Sequence, residues 1–344
     1  MIIVMNAHSR DEDIAMVEQK VRELGYEPHT IRGEVRTVVA AVGDESVKTS
    51  LESLATLDVV ETVMPVQKKY TLISRETHPD PTIIRVGDME IGGGAFHIVA
   101  GPCSVESDVQ MLETARRVVR AGATIIRGGA FKPRTSPYSF QGLGVEGLPI
   151  LARTREELHV PVITEVLRES DIEAVASVAD VLQIGARNAM NYALLEAVAD
   201  TGKPILLKRG LAATINEWLL AAEYMVKKGN RNIILCERGI RTFETETRNT
   251  LDISAVAIAK QETCLPVFVD PSHAAGRLDI IHALSKAAIA AGADGIMVEV
   301  HIKPEEALSD GSQQFRPDVF GELVEQLEPY IRAAGKQMIS ARVV

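Results

Sequence analysis

Positively charged side chains recur at or just after the ends of short apolar runs in this sequence. Arginine can bind a carboxylate or phosphate through two parallel hydrogen bonds, whereas lysine offers a point contact or a proton. Such a set, in a chain of net charge −10, indicates a pocket for a small polyanion. For any single cation, an ion pair with a nearby carboxylate is an equal alternative. The six cations are Arg127, Lys132, Arg134, Arg187, Lys208 and Arg238.

The stretch FKPRTSPYSFQG, residues 131–142, places two of these cations in a short polar loop. Its two prolines restrict the backbone on either side of Arg134 and Thr135. Donors that are held in place before a ligand arrives lower the entropic cost of binding it. The loop is therefore predicted to bind a phosphate group through Lys132, Arg134 and Thr135.

A second group of reactive side chains consists of Cys103, His273, Glu299 and Asp310. A thiolate, an imidazole and two carboxylates together suit a divalent Mn²⁺, Fe²⁺, Co²⁺ or Zn²⁺ ion. The alternative for Cys103 alone is a small buried apolar residue. The alternative for His273 alone is a loop histidine with its hydrogen bonds satisfied.

The elements that must position these groups begin at residue 95. Eight short apolar runs alternate with amphipathic helical stretches, which predicts a (β/α)₈ TIM barrel over residues 95–340. Barrel enzymes build their sites at the carboxyl ends of the strands, where these reactive residues fall, and closure makes strands one, seven and eight neighbours. An open doubly wound sheet would show the same alternation. The runs are FHIVAGP, TIIRGG, VPVITEV, VLQIGA, PILLKRG, NIILCERG, PVFVDPSH and GIMVEVH.

Ahead of the barrel, residues 1–66 show the order βαββαβ, which predicts a small ferredoxin-like α/β domain. Its helices are expected at DEDIAMVEQKVREL and SVKTSLESLATL. Residues 67–94 are polar and punctuated by proline and glycine, and are expected to form a linker and a lead-in hairpin around Gly87-Asp88.

Composition excludes several classes of protein. An acidic balance argues against a nucleic-acid partner or an anionic membrane surface, both of which reward excess Lys and Arg. Three widely spaced cysteines argue against a disulfide scaffold and for a reduced, cytoplasmic setting. We find no secretory signal and no apolar run near the roughly 20 residues that span a bilayer.

Long stretches of the chain resemble 3-deoxy-D-arabino-heptulosonate 7-phosphate (DAHP) synthases, in particular a type I beta-like branch with an N-terminal ferredoxin-like regulatory domain. The resemblance covers essentially the whole chain. It rests on AGPCSVES, IIRGGAFKPRTSPYSFQGLG, QIGARN, LLKRG, ILCERGIRTFE, VDPSHAAGR and VEVH…ALSDG.

The resemblance implies a metal-dependent condensation of phosphoenolpyruvate with D-erythrose 4-phosphate that releases phosphate and opens the shikimate pathway. It implies that Arg134 and Thr135 bind the sugar phosphate, with Lys132 between the two substrates as candidate proton donor and Asp270 orienting a ligand or water. It implies metal ligands at Cys103, His273, Glu299 and Asp310. The positions implied for phosphoenolpyruvate are Arg127, Lys132, Ala186, Arg187, Lys208 and Arg238; we add Glu165 and Glu237, at strand ends, as candidate substrate contacts.

The resemblance also implies feedback inhibition by tyrosine or phenylalanine at residues 1–66 and a homotetramer, although a dimer is an alternative. The N-terminal domain could instead serve only oligomer packing. Two alternatives concern the whole chain. One is a 3-deoxy-D-manno-octulosonate 8-phosphate synthase that uses arabinose 5-phosphate, although that sibling typically has KANRS where this chain has KPRTS. The other is a catalytically dead amino-acid-sensing protein.

Overall fold

The computed structural model describes residues 1–7, 9–33, 36–43, 51–64 and 70–339. These residues form two compact units, Met1–Lys69 and Tyr70–Val344. Each unit has its own buried core, centred on residues such as Val17 and Val39 in the first unit and Leu207 in the second.

The first unit is a four-stranded antiparallel sheet with the ferredoxin-like arrangement expected from the sequence; its strands lie in the order Glu27–Arg32, Thr37–Val42, Ile2–Met5 and Val60–Met64. The second predicted helix is a 3₁₀ helix in its described part, and residues 44–50 lie outside the described residues. The elements are β1 (Ile2–Met5), α1 (Asp11–Glu23), β2 (Glu27–Arg32), β3 (Thr37–Val42), a 3₁₀ helix (Leu51–Thr56) and β4 (Val60–Met64).

The second unit is a closed barrel of eight parallel strands. Its last strand pairs with its first over five residues, from Gly295 opposite His97 to Glu299 opposite Gly101, which excludes the open-sheet alternative. Almost every strand residue is buried because the strands are covered on both faces. The strands are β7 (Ala95–Gly101), β8 (Ile125–Arg127), β9 (Val162–Glu165), β10 (Val181–Ile184), β11 (Ile205–Lys208), β12 (Ile233–Glu237), β13 (Val267–Val269) and β14 (Gly295–Glu299).

A hairpin covers the amino-terminal end of the barrel. Strands β5 (Ile84–Val86) and β6 (Met89–Ile91) pair antiparallel around a turn in which Gly87 has a φ of 58°. Their apolar side chains join the cluster inside the barrel. At the same end of the barrel, Nε2 of His97 lies 3.0 Å from the carbonyl oxygen of Glu90, and its Nδ1 lies 3.2 Å from Oγ1 of Thr124.

Helices surround the barrel and begin at polar caps. Ser107, Thr214 and Asp252 each accept a hydrogen bond from an amide of the first turn that follows. In the described part of the chain, every helix is too short or too polar to cross a lipid bilayer. The α-helices are α2 (Asp108–Arg120), α3 (Leu148–Leu158), α4 (Ile172–Val178), α5 (Tyr192–Ala199), α6 (Ile215–Lys227), α7 (Ile253–Glu262), α8 (Pro271–Ala275), α9 (Ile281–Ala290) and α10 (Pro317–Ala333).

Shorter elements complete this unit. A final strand, β15 (Gln337–Met338), pairs in parallel with the start of β7. The 3₁₀ helices are Gly144–Gly147, Glu169–Asp171, Leu278–Ile280, Pro304–Glu306 and Gly311–Gln313.

Candidate active site

A cavity of about 290 Å³ opens at the carboxyl ends of the barrel strands. All six cations predicted from the sequence line it, and Arg248 is a seventh among the described residues. Glu165 and Asp310 are its lining carboxylates. The cavity thus carries a strong local excess of positive charge, as a polyanion would require. Its other lining residues include Thr135, Ser136, Gln183, Ala186 and His273.

The deepest cations are almost fully buried. Arg127 Nη2 lies 2.9 Å from Glu299 Oε1, while Arg127 Nη1 donates no hydrogen bond to any described residue. Lys132 Nζ donates to the carbonyl oxygen of Cys103 at 3.0 Å. A buried guanidinium nitrogen without a partner is costly, and a bound anion would satisfy it.

The proline-containing loop forms one wall of the cavity. The amide of Lys132 donates to the carbonyl oxygen of Gln141 at 2.9 Å, and Nε of Arg134 donates to that of Phe140 at 3.1 Å, so the loop is closed on itself. Arg187 Nη2 donates to Oγ1 of Thr135 at 3.4 Å. These contacts bring Arg134, Thr135 and Arg187 together at the rim.

The predicted metal ligands also come together. One ligand atom from each of Cys103, Glu299 and Asp310 lies within 4.8 Å of the others. His273 adjoins this trio, with Nε2 at 3.4 Å from Glu299 Oε1. The four side chains come from the ends of β7, β13 and β14 and from the loop after β14.

The protonation and bonding of these groups fit a divalent cation. Burial lowers the pKa of His273 to about 4, so its imidazole is neutral near pH 7 and Nε2 can act as a ligand. Burial, with Glu299 nearby, raises the pKa of Cys103 to about 12, and a metal ion would displace that proton. Glu299 Oε1 is buried and accepts no hydrogen bond from the described residues, although it forms the ion pair with Arg127 Nη2 at 2.9 Å. Mixed sulfur, nitrogen and oxygen donors suit Mn²⁺, Fe²⁺, Co²⁺ or Zn²⁺.

Asp270 holds the His273 turn. Its Oδ1 accepts the amide of His273 at 3.0 Å, which caps α8, and its Oδ2 lies 2.7 Å from Nδ1 of the same residue. Lys208 Nζ lies 2.5 Å from that Oδ2. Although burial favours the neutral acid, His273 and Lys208 hold the pKa of Asp270 well below its usual range. Asp270 is thus a buried carboxylate that orients the imidazole.

The two glutamates predicted as substrate contacts differ in position. Glu165 lines the cavity and accepts a hydrogen bond from Gln183 Nε2 at 3.1 Å. Glu237 is fully buried and is not among the residues that line the cavity. Its carboxylate instead accepts the amide of Gly239 at 2.6 Å and Nη1 of Arg209 at 3.0 Å.

Sequence reasoning missed Arg248 and Gln313. Arg248 lies in the long loop between β12 and α7, and its Nη1 is 3.3 Å from Asp310 Oδ2. Gln313 donates from Nε2 to Glu299 Oε2 at 2.6 Å. Neither residue directly follows a strand, so the strand-end rule could not find them. The only available signal for Arg248 was the unusual length of its polar loop.

Sequence comparison with known proteins identifies families and relatives that this chain matches. Residues 66–333 match the DAHP synthetase I family, and residues 1–68 match the DAHP synthase ferredoxin-like domain. A phospho-2-dehydro-3-deoxyheptonate aldolase from Thermotoga maritima is 50% identical over 97% of this chain and 99% of its own length.

Two further relatives extend the comparison. The crystal structure of a phospho-2-dehydro-3-deoxyheptonate aldolase (DAHP synthase) from Thermotoga maritima superposes with a TM-score of 0.91 at 49% identity and covers 98% of both chains. A 2-dehydro-3-deoxyphosphooctonate aldolase from Desulfosudis oleivorans is 35% identical over 73% of this chain and 93% of its own length. The family model, the full-length relative and the shared fold agree, and the chain is an enzyme that belongs to the DAHP synthetase I family.

Proposed function

We propose that this enzyme condenses phosphoenolpyruvate with D-erythrose 4-phosphate to give 3-deoxy-D-arabino-heptulosonate 7-phosphate and inorganic phosphate, the first step of the shikimate pathway. The observation that carries the proposal is the set of seven cations around one cavity beside the cluster of Cys103, Glu299 and Asp310. Both substrates are phosphate esters, and one also carries a carboxylate. The 50% identical relative is named for this activity.

In this proposal the inner cations bind phosphoenolpyruvate. Arg127, with its unpaired Nη1, lies deep in the cavity together with the buried cations Lys132, Lys208 and Arg238, whereas Arg187 contacts the substrate from the rim. Their fixed geometry orients the enol carbon before the second substrate arrives. The residues assigned to this substrate are Arg127, Lys132, Glu165, Ala186, Arg187, Lys208 and Arg238.

Arg134 and Thr135 bind the phosphate of the sugar, because the loop that carries them is closed on itself and faces the cavity. The aldehyde then points toward Lys132, which lies between the two subsites. Carbon 3 of phosphoenolpyruvate forms the new bond to the aldehyde carbon with the π electrons of its double bond to carbon 2, which leaves carbon 2 positively charged. Lys132 donates a proton to the aldehyde oxygen as it becomes a hydroxyl. Water adds at carbon 2 and loses one proton, which balances the proton given by Lys132. The hemiketal phosphate then breaks its C–O bond to carbon 2, so that phosphate leaves with the second proton and carbon 2 becomes a ketone.

We assign Cys103, His273, Glu299 and Asp310 as the residues that hold a divalent ion, which supplies Lewis-acid polarisation of the aldehyde. Asp270 fixes the orientation of His273 through contacts to both its amide and its imidazole. Gln313 fixes Glu299 through the hydrogen bond to Oε2, and Oε1, which also forms an ion pair with Arg127 Nη2 at 2.9 Å, is the oxygen that we assign to the ion.

The proposal extends to regulation and assembly. We assign the first unit as the site where tyrosine or phenylalanine binds and lowers activity, supported by its match to the ferredoxin-like domain of DAHP synthases. We further propose a homotetramer that works in the cytoplasm, in keeping with three buried cysteines that are all free.

Steady-state assays with D-erythrose 4-phosphate and D-arabinose 5-phosphate side by side test the proposal. We expect turnover with the four-carbon sugar, its loss after EDTA treatment and its recovery with Mn²⁺. Lys132→Met should abolish turnover, whereas Lys227→Met, an exposed lysine on α6, should not. A preference for arabinose 5-phosphate would favour the octulosonate alternative. Tyrosine binding without turnover of either sugar would favour the catalytically dead sensor.

A further inference from the structure

One carboxylate oxygen in the cavity has two competing neighbours. Asp310 Oδ2 lies 3.5 Å from Cys103 Sγ, within the cluster suited to a cation, and 3.3 Å from Nη1 of Arg248. Arg134 Nη1 is 3.6 Å from the other oxygen, Oδ1. The oxygen that faces the thiol is therefore the one that the Arg248 guanidinium contacts.

The main chain of Arg248 is fixed to the turn that carries His273. Its amide donates to the carbonyl oxygen of Ala275 at 3.0 Å, and the next amide, of Asn249, donates to that of Ala274 at 2.8 Å. Gly276, with a φ of 69°, makes this approach possible, since a Cβ there would lie 2.6 Å from Cβ of Arg248. The position of the Arg248 backbone is thus fixed relative to the cluster of Cys103, Glu299 and Asp310.

The guanidinium itself is much less constrained than its backbone. The Arg248 side chain is 37% exposed, compared with 15% for Arg134, whose Nε is bonded to the carbonyl oxygen of Phe140. Besides Asp310, Arg248 contacts the neutral Gln313 Oε1 at 3.0 Å. It also lines the cavity assigned to phosphate esters. Arg248 can therefore exchange an aspartate oxygen for a phosphate oxygen by a side-chain rotation.

We infer that Arg248 is an exchangeable counter-ion that couples the cation site to the sugar-phosphate subsite. A divalent ion and the guanidinium compete for Asp310 Oδ2, because two cations on one oxygen repel each other. A phosphate ester in the cavity attracts the guanidinium and leaves Asp310 to the ion. Ion and phosphate ester then bind with positive cooperativity, and the effect is reciprocal. The inference rests on the proposed function, which supplies the phosphate-ester class.

Binding of Mn²⁺ to the full-length protein, stripped with chelator, tests this coupling without turnover. Glycerol 3-phosphate serves as an ester that lacks an aldehyde, with glycerol as the uncharged control. Free Mn²⁺ is read by electron paramagnetic resonance, and protein-free titrations correct for Mn²⁺ held by the ester. We expect the ester to tighten Mn²⁺ binding by about fivefold or more in the unmodified protein.

Variants assign the coupling to one side chain. Arg248→Gln should bind Mn²⁺ more tightly without ester and lose most of the response to it, while Arg248→Lys should be intermediate. Arg241→Gln makes the same change at an exposed arginine of the same loop and should match the unmodified protein. Thermal unfolding of each variant checks that the fold is kept.

A wild-type response in Arg248→Gln, or an ester that leaves Mn²⁺ affinity unchanged in the unmodified protein, would overturn the inference. Turnover measured on the same samples separates this from failure of the proposed function. If the enzyme forms heptulosonate 7-phosphate but shows no coupling, only the counter-ion role is lost. If it forms none with any divalent ion, the proposed function fails.

Discussion

Oε1 of Glu106 accepts a hydrogen bond from the backbone N–H of Leu308 at 3.0 Å. Ser104 Oγ donates to the same oxygen at 3.1 Å and lies 2.6 Å from Oγ of Ser309. These contacts join the loop after the first barrel strand to the loop after the last. Asp310 follows directly, in a left-handed conformation with a φ of 47° that its surroundings must hold. Glu106 is therefore one of the residues that join the loops carrying Cys103 and Asp310, beside Gln314, which accepts the amide of Cys103 at 2.9 Å.

Replacing Glu106 should weaken cation binding without direct contact to the ion. We expect Glu106→Ala to lower Mn²⁺ affinity roughly tenfold or more, as is usual when a residue supporting metal ligands is lost. Glu106→Gln keeps an acceptor oxygen, so its Mn²⁺ affinity should lie between those of wild type and Glu106→Ala. Calorimetric Mn²⁺ titration measures the effect, and Glu146→Ala, at an exposed position, is the control. Unchanged affinity in Glu106→Ala would show that the loops hold their spacing without it.

Loss of only one partner of the buried pair of Lys208 and Asp270 should destabilise the protein strongly. Asp270→Asn leaves a buried ammonium without its carboxylate, and we expect it to cost about 3–5 kcal/mol in the free energy of unfolding. The double variant with Lys208→Met removes both charges and should cost less than the sum of the single variants. Urea denaturation measures all three. Strictly additive losses would mean that the 2.5 Å contact carries no coupling energy.

Glu237 and Arg238 are sequence neighbours that should behave differently. Glu237 binds Arg209 and the amide of Gly239 away from the cavity, so Glu237→Gln should lower thermal stability and leave the KM for phosphoenolpyruvate unchanged. Arg238 lines the cavity, so Arg238→Gln should raise that KM. Steady-state kinetics and thermal unfolding of both variants provide the test. An equal rise of KM in Glu237→Gln would restore it as a substrate contact.

His97 should make stability depend on pH at the base of the barrel. Burial lowers its pKa from 6.5, against the opposing effects of the Glu90 carbonyl and Asp294. The folded state therefore holds His97 neutral, and the unfolded state takes up a proton first as pH falls. The contribution of neutral His97 to the free energy of unfolding is therefore fully present at pH 8 and should decline as pH falls below about 6.5. Urea denaturation should show that wild type exceeds His97→Gln in free energy of unfolding by more at pH 8 than at pH 5. An advantage that stays constant would contradict the shift.

Removing the first unit tests the regulatory assignment. A chain that starts at Lys68 keeps the segment whose amides at Thr71, Leu72 and Ile73 bind the carboxylate of Glu223 on α6. We expect this chain to retain turnover and to lose inhibition by tyrosine and phenylalanine. Inhibition curves for the truncated and full-length enzymes decide the matter. Equal inhibition would place the amino-acid site in the barrel, and a change in oligomer size alone would support the packing alternative.

Much of the barrel was predictable because parallel strands covered on both faces must be apolar along their whole length. The run NIILCERG contains β12 (Ile233–Glu237), and PVFVDPSH contains β13 (Val267–Val269). The strand ends then placed Arg127 and His273 at one cavity, because the carboxyl ends of barrel strands share one face.

Side-chain direction and loop conformation could not be predicted in the same way. Glu237 is the last residue of β12 and Arg238 follows it, but only Arg238 lines the cavity, because Arg209 binds the carboxylate of Glu237. Arg248 reaches the site through a loop whose course depends on backbone pairing with Ala274 and Ala275. Such pairing leaves no periodic pattern in the sequence.

Closure of the barrel also bears on the order of events during synthesis. The pairing of Glu299 with Gly101 brings the first and last strands together, and Cys103 and Asp310 meet although 207 positions separate them. A nascent chain that ends before Asp310 lacks part of the candidate ligand set and cannot capture an ion in its final environment. On the proposed assignment, the complete ligand set exists only after the barrel has closed, so we expect full-affinity ion binding to follow barrel closure rather than precede it.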